Sequence, residues 1–171
     1  IFYGAVIYAS IQTAFMFYQP YFELTGLQVA KFGFVFAGFN VVSAFSSKYA
    51  HSIEEKIGKK YSLIMLGVLL VSSLLFMGRF VTFLGIAFIC LQQFARGFSK
   101  PVISDYINKI IGSEDRSTIL STYSLIGKLF MSLSTPVFGY ISDIFTLPQA
   151  LIALAITTAF FCSSLLVVLS K

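Results

Sequence analysis

Six apolar runs, joined by connections too short to hold a domain, leave this chain little choice of environment. They lie at residues 1–22, 32–47, 61–77, 80–101, 117–141 and 150–169, the fourth with a helical tail to residue 111. A membrane helix needs roughly 20 mostly apolar residues to cross about 30 Å of hydrocarbon. With 57% hydrophobic residues, 11% charged residues and 20 phenylalanines, the chain has no polar surface for a soluble core of its size. The expected fold is all-α: a polytopic membrane protein of six transmembrane helices forming one domain over residues 1–171.

The longest connection, "KYAHSIEEKIGKK" at 48–60, and the shortest, a turn around Gly78 and Arg79, leave no room for anything else. Cys90 and Cys162 fall in apolar runs, where a thiol acts as a small hydrophobe and no disulfide framework is expected. The first run lacks a basic leader and a small-residue cleavage site, so it does not read as a signal peptide. The chain reads as a piece of something longer.

Positive charge in short connections sets orientation. Lys48, Lys56, Lys59, Lys60, Lys109, Arg116 and Lys171 collect on one side, against Lys31 and Arg79 on the other. That places both termini in the cytoplasm. The net charge of +5 follows from this bias and calls for no nucleic-acid partner. Tyr18, Tyr21 and Phe22 outside, and Tyr49 and Tyr61 inside, fit interfacial aromatic belts. At the inner turn, Gly112 can end one helix and Ser113 cap the next, with Glu114 and Asp115 against its positive end.

Polar side chains within hydrocarbon are costly and usually face a bundle interior or wet cavity. Here they are uneven: Gln12 and Gln19 in the first run, Asn40 in the second, Gln92, Gln93 and Arg96 in the fourth, Lys128 in the fifth. The third and sixth runs carry only Ser, Thr and Cys, which can bond back to their own helix. Four helices therefore read as cavity-lining and two as peripheral. In the fifth run Ser117, Ser121, Ser124, Lys128, Ser132 and Thr135 recur at three or four residues on one helix face, with Ile119, Ile126, Leu133 and Val137 opposite. Lys128 lies roughly 16 Å from the inner end, near the midplane, and Arg96 about 24 Å from the outer end. Gln92, Arg96 and Lys100 also share a face. Gln12, Asn40, Gln92 and Gln93 equally suit interhelical hydrogen bonds worth about 0.6 kcal/mol each.

This pattern resembles the carboxyl-terminal half, helices seven to twelve, of a major facilitator superfamily transporter. Glu55, Lys56, Gly58, Lys59 and Lys60 stand at the Asp, Arg, Gly, Arg and Lys positions of the family's cytoplasmic loop signature, and His51 stands where it opens with Gly. "RGFSKP" (96–101), "RSTILS" (116–121) and "PVFGYISD" (136–143) resemble segments of bacterial drug and metabolite exporters. The resemblance implies a half-transporter rocking about a midplane site, with Gln12, Asn40, Gln92, Gln93, Arg96 and Lys128 as substrate-cavity residues. It implies a cytoplasmic latch at Glu55 and Lys56, bends at Pro20, Pro101 and Pro136, and proton-coupled efflux of a small amphipathic molecule or drug.

Uptake or exchange of an organic anion, with Lys128 and Arg96 as counter-charges, is the alternative, and a non-transporting sensor or scaffold a further one. An intramembrane serine protease would pair its serine with a buried histidine, but the only histidine, His51, lies in a connection. A mitochondrial-type carrier would show a threefold repeat, and none is visible. No enzyme activity, cofactor or metal site is expected. The expected partners are a small-molecule substrate, the lipid bilayer, and a missing amino-terminal half or a second copy in its place.

Overall fold

The computed structural model describes residues 2–110 and 116–169. It is helical nearly throughout: α1 (Phe2–Met16), α2 (Tyr18–Leu24), a 3-10 turn (Val29–Lys31), α3 (Phe32–Ile57), α4 (Lys59–Arg79), α5 (Phe83–Ile110), α6 (Arg116–Ile144) and α7 (Leu147–Leu169). α1 is the central helix, packing against α4, α5, α6 and α7, while α3 packs chiefly on α5. The proposed turn at Gly112 to Asp115 falls outside the described residues.

Several boundaries differ from the sequence expectation, each for a local reason. The first run is two helices. Pro20 has no N–H for the carbonyl of Met16, so α1 ends there, the Phe17 N–H turns back to Ala14 O at 3.0 Å, and α2 begins. α5 and α6, by contrast, run unbroken past Pro101 and Pro136. The connection expected at 48–60 is helical through Ile57. The break is Gly58 alone, whose φ of 83° lies where a side chain is disfavoured. Its N–H closes α3 on Glu54 O at 2.8 Å and its carbonyl receives Ser62 N–H at 3.0 Å. Gly78 and Arg79 belong to α4, so that turn sits a few residues later, between Phe80 and Thr82.

Among the described residues three helical stretches are long and apolar enough to cross a membrane: Val29–Ile57, Lys59–Arg79 and Leu147–Val167. α1 is apolar but cut short by the Pro20 break. α5 and α6 are the helices that carry Arg96 and Lys128, and their polar residues dilute the apolar content.

Two tyrosines fasten α1 and α2 to α4. Tyr3 Oη donates to Leu63 O, and Tyr21 Oη bridges Met77 O at 3.1 Å and Phe80 O at 3.0 Å. Tyr18, Tyr21 and Phe22 are therefore fully buried within the protein, whereas Tyr49 and Tyr61 are exposed. α3 and α5 touch backbone to backbone: a Cβ on Gly97 would stand 2.0 Å from Ser43 O, and Ser46 Oγ donates to Phe94 O at 2.7 Å. In α4 and α7 most hydroxyls do bond back along their own helix, as Ser72 and Thr157 do. Ser73 crosses instead to Phe88 O at 2.7 Å.

Candidate functional site

The close α3–α5 approach leaves a hollow of about 460 Å³ where these helices meet the α1–α2 break. Phe15, Met16, Gln19, Phe36, Phe39, Asn40, Gln93 and Arg96 line it. Its aromatic wall is Phe15, Phe36 and Phe39, with Phe36 5.8 Å from Phe15 and 6.3 Å from Phe39 between ring centroids, and Phe22 backs it 5.5 Å from Phe36. Phe32, Phe36 and Phe39 recur at four and three residues along α3, so they share one face, and Asn40 is the next position on that stripe.

Arg96 is the one charged residue among the described lining. Its Nη1 donates to Gln93 Oε1 at 3.2 Å, Gln93 Nε2 donates to Tyr18 Oη at 3.1 Å, and the guanidinium lies 5.7 Å from the centre of the Phe15 ring. A helical side chain leans toward its own N-terminus, so the guanidinium points from its Cα toward the start of α5, at the level of Phe15.

The six expected cavity residues divide. Asn40, Gln93 and Arg96 line the hollow; Asn40 is exposed, with Nδ2 bonded back to Phe36 O at 3.0 Å. Gln12 is half-buried on α1 and outside the lining. Gln92 is fully buried, and neither its amide oxygen nor its nitrogen has a hydrogen-bond partner among the described residues. The expected stripe of Gln92, Arg96 and Lys100 thus splits: Gln93, not Gln92, joins Arg96, and Lys100 is exposed.

Lys128 is exposed on the outer surface of α6 and does not line the hollow. α1 and α6 run parallel, with Tyr123 Oη on Gly4 O at 3.4 Å and Thr13 Oγ1 on Ser134 Oγ at 2.6 Å. Gly127 faces Tyr8, whereas Arg96 lies over Phe15, seven residues on. At 1.5 Å per residue the two cations sit about 10 Å apart along the bundle axis, so within this chain they do not form one pocket. Ser117, Ser121, Ser124 and Ser132 are exposed beside Lys128, whereas Thr135, expected on the same face, is half-buried with its hydroxyl 3.5 Å from Thr13 Oγ1, and Leu133 and Val137 of the opposite face are exposed too.

The signature residues surround the α3–α4 break. Glu55 is exposed and pairs with His51 Nε2 at 3.2 Å one turn earlier, and Lys56, Lys59 and Lys60 are exposed. Glu54, which the sequence reading passed over, is the buried acid of this corner. Phe15, Met16, Phe36 and Phe39 were likewise missed as lining; the α3 aromatic spacing was the available signal.

The family model of the Major Facilitator Superfamily matches residues 1–171. The chain belongs to the major facilitator superfamily. No curated protein and no solved structure significantly matches it. That family is one of polytopic membrane transporters of small molecules and not of enzymes. In that setting the hollow has a chemical meaning. Aromatic faces can cover an apolar surface, a guanidinium can offer planar donors to a carboxylate, phosphate or sulfonate, and the Asn40 and Gln19 amides can add further hydrogen bonds.

Proposed function

We propose that the protein carries a small amphipathic molecule with an anionic or strongly accepting group across the bilayer by alternating access, binding it at the Arg96 hollow. The observation that carries this reading is the pairing of an aromatic wall with a single guanidinium held by Gln93 and Phe15. Lys128 belongs to a second polar wall on α6, which meets the hollow only across the central cavity of a complete transporter. Gln12 and Gln92 stand outside the hollow, nearer the core, Gln92 fully buried without a described hydrogen-bond partner.

The remaining organisation follows the family pattern. α1 with α2, and α3 to α7, form six spans over residues 1–171 with both termini cytoplasmic, in a bacterial inner membrane. An amino-terminal half, or a second copy of this domain, supplies the opposite wall. Glu55 and Lys56, with Gly58, Lys59 and Lys60, form the cytoplasmic latch of one state.

Proton-coupled efflux of a drug or metabolite is the second reading. The breadth of the aromatic wall favours it, since such a wall takes varied apolar solutes. It draws no support from a carboxylate, because the described lining carries none.

Flux of labelled organic anions and amphipathic cations into proteoliposomes, with and without a proton gradient, separates these readings. Anion flux that Arg96→Gln reduces at least tenfold supports the first, cation flux driven by the gradient supports the second, and no flux under any gradient leaves a scaffold role.

A further inference from the structure

A second cavity, of about 490 Å³, lies between α1, α6 and α7, away from the Arg96 hollow. Its floor is formed by Ala9 and Leu154, which are 5% and 2% exposed, and its mouth by Leu133, Val137 and Phe161, each more than half exposed. It is a long groove. The lining runs from Phe2 to Ser10 on α1 and from Leu154 to Leu165 on α7, about 12 and 16 Å along the helix axes.

Four hydroxyls border the groove, and all are engaged. Ser10 Oγ and Thr158 Oγ1 are 2.8 Å apart, and Thr158 Oγ1 also donates to Leu154 O at 2.7 Å. Ser134 Oγ meets Thr13 Oγ1 at 2.6 Å and Met131 O at 3.2 Å, and Thr157 Oγ1 donates to Ala153 O at 3.0 Å. An occupant therefore finds only hydrocarbon, with no polar group asking for a partner. The volume lies within the roughly 300–1,000 Å³ of small-molecule sites.

The two faces of α6 show what the mouth opens onto. Val137 lies nine residues after Lys128, which is two and a half turns and so the opposite side of the helix. An ammonium is costly against lipid, so the Lys128 face turns to the aqueous cavity and the Val137 face to the bilayer. α7, the other lip of the groove, is itself apolar enough to span.

We infer that this groove is a binding site for a phospholipid acyl chain, lying along α1 between α6 and α7 and filling what would otherwise be a void in the packing. This rests on α6 crossing the bilayer as described under the proposed function.

The test uses the intact transporter in vesicles of phosphatidylcholine carrying a photoactivatable diazirine in the acyl chain, with adducts located by mass spectrometry. Adducts on Ala9 and Leu154, positions shielded from bulk lipid, are expected alongside those on exposed Phe34 and Phe160. Val137→Trp at the mouth, and separately Ala9→Leu on the floor, should reduce the Leu154 adduct several-fold while Phe34 labelling stays the same. Labelling of Phe34 and Phe160 without Ala9 or Leu154 overturns the inference and assigns the groove to another helix or to nothing. Loss of the Leu154 adduct on adding a transported solute overturns it in favour of the solute. Absence of adducts at Phe160 and Leu133 as well removes the spanning placement of α6 and α7 together with the groove, a failure that flux measurements on the same vesicles report separately.

Discussion

At the residue scale the decisive group is Arg96. Its charge is kept in a largely apolar setting without a carboxylate among its described partners, by a neutral amide and a ring face. Lysine keeps the charge but loses the planar fork and the stacking, so the two are not equivalent here. Arg96→Gln should lower the affinity for an anionic solute by an order of magnitude or more, and Arg96→Lys should recover part of that loss, read by equilibrium binding to purified protein. Tyr18→Phe removes the hydroxyl that receives Gln93 Nε2 and frees the amide to turn. The expected stability loss is small, about 0.6 kcal/mol as for an average membrane hydrogen bond. Binding should fall more than thermal unfolding changes, since the Tyr18–Gln93–Arg96 chain orients the guanidinium.

At the element scale the sharpest constraint is the α3–α5 crossing. A side chain on Gly97 meets the Ser43 carbonyl at 2.0 Å, a backbone atom that cannot swing aside. Gly97→Val should cost at least about 1–3 kcal/mol by overpacking and open the wall of the hollow, seen as a lower unfolding temperature and lost solute binding. α6 supplies a second test through its two faces. With Cys90 and Cys162 replaced, Lys128→Cys should react with a membrane-impermeant cationic thiol reagent while Leu133→Cys stays unreactive. Equal reactivity at both positions would remove the distinction between a wet face and a lipid face.

At the scale of the whole molecule the exposed stripe of Lys128, Ser121, Ser124 and Ser132 is a surface that lipid cannot cover cheaply. The isolated chain in detergent should therefore self-associate, or pair with an amino-terminal half added in trans, as read by light scattering; a stable monomer would contradict this. Long apolar runs and period-four polar spacing were enough to establish an all-helical membrane chain, because both depend on residue order and helix geometry alone. They also gave Lys128 its face on α6, and Asn40, Gln93 and Arg96 as polar positions. Element ends were less legible: Pro20 and Gly58 act through one missing N–H and one backbone angle, signals that an apolar run of the same length conceals. Which polar residues meet was decided by tertiary structure. Gln92 and Gln93 are neighbours with the same chemistry, yet a 100° step around α5 buries one without a described partner and hands the other to Tyr18 and Arg96. Separation of the Arg96 hollow from the Lys128 stripe, and the acyl-sized groove behind α6, arise from helix crossings between residues distant in the chain, which local spacing does not encode.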